Sequence, residues 1–245
     1  MNPLRSLRVR AFTLIELLVV IGIIVLLAAL LMPAIIKVQD SSKMTAAQSN
    51  LRQLGSVVMS YVNDTGKYPP GSDAGLGSWL PCNGEVTPTW RGYWSDILSP
   101  YLGLNSYWGS QTSPIFDSPA KLIKTAAPTV AFTPNPQIIQ DTQWGSGHVI
   151  PASRVTRQSS VILLGDAVQD PVHGWVCFLP WQQSQLYDSD PNNADQYIDA
   201  TNNKDDASNQ FRFRYGNKGQ FLFCDGHVEL IENGKLQKKN FAISY

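Results

Sequence analysis

Between Phe12 and Met32 the chain is apolar except for Thr13 and Glu16. A helix over this run, at 1.5 Å per residue, is roughly 32 Å long, about the thickness of a bilayer core. Arg5, Arg8 and Arg10 precede it with no acid among them. That asymmetry puts the N-terminus on the cytoplasmic side of a membrane. An ordinary secretory signal has a shorter apolar region and a small-residue cleavage site. This run is longer and ends at Met32-Pro33. A plain single-span anchor leaves Glu16 unexplained. A lone acid deep in a membrane helix costs about 2.5–3.5 kcal/mol unless it is paired. No Lys or Arg lies between Phe12 and Ile36, so a charged partner must come from outside the run. The other reading is that Glu16 snorkels to the interface from the helix end.

The string RAFTLIELLVV, Arg10 to Val20, resembles the N-terminal signature of type IV prepilins and type II secretion pseudopilins. The resemblance implies a membrane prepilin peptidase that cuts between Ala11 and Phe12 and N-methylation of Phe12. It also implies that Glu16 pairs with the α-amino group of a neighbouring pilin or pseudopilin subunit during filament assembly. Ala11 stands where that family usually has Gly; both are small, so processing should survive.

Pro33 would kink a helix without necessarily ending it. Beyond it, Met44, Ala47, Leu51, Leu54, Val58 and Tyr61 recur at steps of three and four, an apolar stripe from which Lys43, Gln48 and Arg52 fall away. Asn63, Asp64 and Gly66, followed by Pro69-Pro70, are stop signals. The chain therefore divides into a basic leader (1–11), a transmembrane and assembly helix (12–33), its amphipathic continuation (34–66) and a globular head (67–245). The fold class expected is α+β, one long helix with a membrane half and a half docked on an antiparallel sheet, as in pilins.

A second resemblance lies in NLRQLGSVVMSYVNDTGKYPPG and in RYGNKGQFLFCDGHVEL. These look like a large group of prepilin-like proteins whose C-terminal domain has no settled function and ends in His, nine residues, then Asp-Gly. Here Asp225-Gly226 fits that ending, but Tyr215 occupies the His position. A Cys usual in an F-x-C-P segment is missing if PIFDSPA, Pro114 to Ala120, is that segment.

In the head, residues 71–107 read as loops with one short helix around Ser95 to Leu102. Trp79, Trp90, Trp94 and Trp108 could line a glycan-binding surface or pack beneath the loops. Strands are expected at 129–134, 159–167, 174–180 and 209–216. Asp225-Gly226 reads as a two-residue hairpin turn, pairing Phe223 with Val228 and Phe221 with Leu230 and placing His227 and Cys224 together on the other face. Three cysteines (Cys82, Cys177, Cys224) allow at most one bridge, so this is no disulfide scaffold. His148 and His173 are too scattered to join a metal site with that pair.

Tyr187 to Asp206 is acidic. Asp188, Asp190, Asn192 and Asp199 fall at positions 1, 3, 5 and 12 of a calcium-loop spacing. Asn193 stands where that loop needs Gly, and Pro191 intrudes, so this is no EF-hand. Its oxygens could hold Ca²⁺, as a calcium-stabilised loop does in major pseudopilins, or simply face water. No other cofactor is indicated. Lys+Arg and Asp+Glu both total 19, which gives no basic field for nucleic acid. Past residue 11 the balance is 16 basic to 19 acidic, a formal net of −3. There is no phosphate loop, HExxH or GxSxG, so no enzyme is expected. The leading reading is a pseudopilin-like subunit of a type II secretion or type IV pilus fibre. The alternatives are a membrane-anchored glycan-binding or adhesion module using the prepilin route, and a tethered enzyme.

Overall fold

A computed structural model describes residues 13–73, 92–104, 113–120, 130–140, 148–168, 191–198, 203 and 211–243. The fold is α+β: a long N-terminal helix followed by a four-stranded antiparallel sheet. The chain divides into two compact units, Met1–Ser42 and Lys43–Tyr245.

Helix α1 runs Leu14–Thr65 with Pro33 inside it. It ends where the sequence signals: Gly66 adopts φ +72 and its N–H returns to the Val62 carbonyl at 2.7 Å. That left-handed closure is open to Gly at no steric cost. Within the second unit, burial begins with half-buried Met44 and then takes Ala47, Leu51, Leu54, Gly55, Val57, Val58 and Val62. The expected stripe is thus the docked face, with Tyr61 half-buried at its edge. Leu51, Leu54 and Val58 are fully buried, each worth about 1.5–3 kcal/mol relative to exposure. Asn50 Nδ2 secures the same face by donating to the carbonyls of Pro114 (3.3 Å) and Asp117 (2.9 Å).

The sheet is β3 (Phe132–Pro134), β4 (Ile162–Asp166), β5 (Lys218–Phe223) and β6 (Val228–Glu232), paired in that order. A small ladder, β1 (Ser72–Asp73) with β2 (Gly92–Tyr93), lies where loops were expected, and α2 (Trp94–Leu98) plus a 3-10 turn (Ser99–Leu102) forms the short helix. Strands β4 and β5 are buried on both faces, so they read as near-continuous apolar runs rather than alternation. On one face lie the α1 residues with Val161, Leu163, Leu164, Leu222 and Cys224. A register shift between Ile162 and Leu164 turns both Leu163 and Leu164 towards that cluster. On the other face Ile162, Phe221 and Phe223 meet Phe211, Phe213, Leu236 and Phe241. Phe211 sits edge-on to Phe221 at 5.3 Å and stacks on Phe241 at 5.4 Å.

Two sequence expectations need correction. Residues 211–216 are not a strand: Phe211 makes one isolated bridge to Ala167, and the chain then turns. Gly216 (φ +58) and Asn217 (φ +65) both adopt positive φ, while Tyr215 and Lys218 exchange two backbone hydrogen bonds of 3.0 and 3.1 Å. That is the two-residue primed turn of a hairpin. The turn at Asp225-Gly226 is a three-residue loop instead. Phe223 and His227 flank it, the Gly226 N–H reaches the Phe223 carbonyl at 3.0 Å, and Gly226 (φ +91) forms the bulge. The extra residue moves the register by one: Leu222 pairs with Val228, Phe221 with Glu229 and Gln220 with Leu230. The expected 174–180 strand lies outside the described residues.

Candidate functional site

The start of α1 is a capping box. Thr13 is the N-cap and Glu16 the third helical residue. Glu16 Oε2 accepts from the Thr13 N–H at 2.9 Å and from the Thr13 hydroxyl at 2.8 Å, while Thr13 Oγ1 accepts the Glu16 N–H at 3.3 Å. Two otherwise orphaned helix N–H groups are satisfied reciprocally. Glu16 thus has neutral donors in its own chain, while the charged partner expected from outside the run is a separate matter. The signal was present as Thr-x-x-Glu inside FTLIE. Both bonds fall on Oε2, and Oε1 takes none from the described residues. Ala11 and Phe12, the expected processing pair, lie outside the described residues.

Every large apolar residue from Leu14 to Val38 that bears on α1's surface is exposed, from Val20 at 46% to Leu14 at 81%. A helix apolar all round cannot rest in water and must be covered by lipid or by other helices. By length and composition α1 can cross a membrane, which fits a membrane-anchored protein.

At the C-terminal hairpin, Asp225 Oδ1 accepts the His227 N–H at 3.1 Å and lies 2.5 Å from His227 Nδ1. The imidazole stacks on Phe223, ring centres 4.2 Å apart and planes 10° from parallel. His227 therefore sides with Phe223, not with Cys224 as expected. Cys224 is fully buried in the helix-facing cluster beside Tyr68. Its backbone N–H donates to the Val161 carbonyl at 2.9 Å. Asp225, Gly226 and His227 form the turn and its brace.

A buried polar group that sequence reasoning missed lies where β4 and β5 face α1. Asp166 and Gln220 are both fully buried. Tyr215, at the position of the missing His, lies beside them; burial and the nearby Asp166 push its phenol above the usual range. A buried Asp in a strand-like run, ILLGD, was the available signal.

Of the candidate calcium residues, Asn192 is exposed in a 3-10 turn, Pro191–Asn193; Asp188, Asp190 and Asp199 lie outside the described residues. Among the described residues no group of three or more His, Cys, Asp or Glu could hold a metal ion. Of the four tryptophans weighed for glycan binding, Trp94 is buried and packs edge-on against Phe116 at 5.6 Å. It belongs to the core, while Trp79, Trp90 and Trp108 lie outside the described residues, as do Cys82, Cys177 and His173.

Comparison with known proteins gives one partial likeness. The chain is 43% identical over 61 residues to a type IV major pilin protein, PilA, of Myxococcus xanthus. The matched stretch covers 25% of this chain and 28% of that pilin. No protein-family profile matches, and no solved structure matches. The partial likeness and the long apolar N-terminal helix fit a pilin-like protein.

Proposed function

We propose that the chain is a pilin-like structural subunit that assembles through α1 with other subunits of its kind. The observation that carries the reading is α1 itself: an exposed apolar band opened by the Thr13–Glu16 box, in a helix whose later turns carry the sheet. The partial likeness to a type IV major pilin supports it. In detail, prepilin peptidase cuts between Ala11 and Phe12, Phe12 becomes N-methylated, and the helix stays in the inner membrane until assembly. The fibre belongs to a type IV pilus or a type II secretion system, with the head periplasmic or extracellular. The capping box holds Glu16 Oε2 and leaves Oε1 to an amine from a neighbouring subunit. The reaction chemistry resides in the peptidase, and this chain supplies substrate, anchor and contact.

Intact and N-terminal mass spectrometry of the membrane-extracted protein tests this. The expected terminus is methylated Phe12. A terminus at Met1, or one past about residue 30, where little of an anchor of roughly 20 residues would remain, overturns the reading.

A further inference from the structure

Asp166 and Gln220 sit on neighbouring strands, one position beyond the Gly165–Phe221 pair, on the face that meets α1. The Gln220 backbone N–H donates to Asp166 Oδ2 at 3.0 Å. Gln220 Nε2 donates to the Met44 carbonyl of α1 at 2.8 Å. Two buried oxygens are left over: Asp166 Oδ1 and Gln220 Oε1 have no hydrogen-bond partner among the described residues. Turning the amide over does not help, because Oε1 would then confront the Met44 carbonyl, acceptor against acceptor. Of the two orphaned oxygens, the one on Asp166 can become a donor, by holding a proton.

The groups around the carboxyl agree with this. From the turn after Phe213 come Arg214 and Tyr215. Arg214 favours the anion, yet its Nη2 is engaged by the Ala167 carbonyl at 3.0 Å. Tyr215 borders Ser118 as well as Asp166, and its buried hydroxyl has no hydrogen-bond partner among the described residues. On the β3 side Phe132 stands opposite Asp166. From α1 comes the Met44 carbonyl, a further acceptor. A neutral acid suits such surroundings; an anion there faces burial with its second oxygen unpaired.

We propose that Asp166 is protonated in the folded head and donates from Oδ1 to Gln220 Oε1, forming a proton-sensitive latch that fixes the sheet to the α1 backbone at Met44. It does not depend on the assembly reading. Burial raises the Asp166 carboxyl from its ordinary 3.8 to about 7, against the pull of the Gln220 N–H and Arg214. Between those values the folded chain keeps a proton that the unfolded chain releases. The latch's contribution is full below the lower value and is lost as pH rises through the upper one. Above it, the charged carboxylate drops its bond to Gln220 and loosens the amide that holds Met44.

The test uses the full chain in detergent. Asp166→Asn is uncharged, keeps a carbonyl for the Gln220 N–H and presents an N–H₂ to Oε1. Melting midpoints are taken for parent and variant from about pH 3 to pH 8.5, bracketing the change expected by linkage. The expected result is that the parent's midpoint falls towards alkaline pH relative to the variant's, and that the two agree at the acid end. A variant less stable at every pH, with the parent's advantage growing as pH rises, would mean an ionised Asp166 held by Arg214 and would overturn the latch. Infrared spectra of the parent at mildly acid pH decide independently, and still decide if the variant fails to fold. A buried carboxylic-acid carbonyl band that vanishes at alkaline pH supports the proposal. Its absence sinks it.

Discussion

Gly55 on α1 lies against Leu222 on β5, so closely that a Cβ at Gly55 would stand 3.1 Å from Leu222 Cδ1. The small residue sets how near the helix comes to the sheet. Gly55→Ala gains about 1 kcal/mol of helix propensity and crowds the far end of one flexible side chain, so we expect a net change within about 1 kcal/mol. Gly55→Leu has no such escape and should lose about 1–3 kcal/mol through overpacking. Urea unfolding followed by near-ultraviolet circular dichroism compares them. Equal stability of the Leu variant and the parent would show that the contact does not set the spacing.

Asn135 ties three segments together. Its Nδ2 donates to the Ile162 carbonyl (2.7 Å) and to the Phe241 carbonyl (3.0 Å), and its Oδ1 accepts the Gln137 N–H at 2.9 Å. Asn135→Asp turns the donor end into an acceptor facing two carbonyls. It should cost more than Asn135→Ala, which itself leaves buried backbone groups unpaired at about 1–3 kcal/mol. The order of the two melting midpoints checks this.

Burial, then the nearby charge of Asp225, push the Cys224 thiol up to about 12, with the Tyr68 hydroxyl pulling the other way. The thiolate is the reactive form. The folded protein should therefore leave Cys224 unlabelled by iodoacetamide at mildly alkaline pH, and unfolding in urea should expose it. Peptide mass mapping of Cys224 reads both states. Prompt labelling of the native chain would contradict the packing against Tyr68.

The capping box separates two roles of Glu16. Glu16→Gln keeps an acceptor for Thr13 and removes the charge; Thr13→Val keeps the charge and removes the hydroxyl. We expect Thr13→Val to fray the first turn, at about 0.5–2 kcal/mol for a lost cap, seen as faster amide exchange near Leu17 in micelles. Glu16→Gln should leave that exchange almost unchanged and lower intersubunit cross-linking in the membrane. Undiminished cross-linking in Glu16→Gln would remove the charge from the proposed assembly contact.

The helix was legible because its signals are local: an apolar run, a 3-4 stripe from Ala47 to Val58, and Gly66 at its end. The hairpin was legible in position but not in register. Asp225-Gly226 suits a two-residue turn and a three-residue loop alike, and what decides is whether Cys224 continues β5 or enters the loop. Cys224 enters it because its N–H is taken by Val161 of the preceding segment, a contact no local pattern encodes. Phe211 and Phe213 alternate like a strand, yet they pack over Phe221 from a bridge and a turn; apolar spacing reports burial, not pairing partners. The Thr13–Glu16 box is equally local, a Thr-x-x-Glu spacing at the head of the apolar run. The Asp166–Gln220 pair could not be read, because it needs the β4–β5 register and the α1 backbone at once.

The contact of Gly55 with Leu222 joins an early part of the chain to a late one. During synthesis the apolar stripe of α1 emerges long before β5 exists to cover it. The helix-facing layer cannot be completed from its N-terminal side alone, since Leu222 and Cys224 are made after nearly all the rest of it. A nascent or truncated chain lacking β5 would thus leave the layer over Gly55 short of Leu222 and Cys224, an apolar gap of the kind that holding chaperones and quality-control proteases read as unfinished.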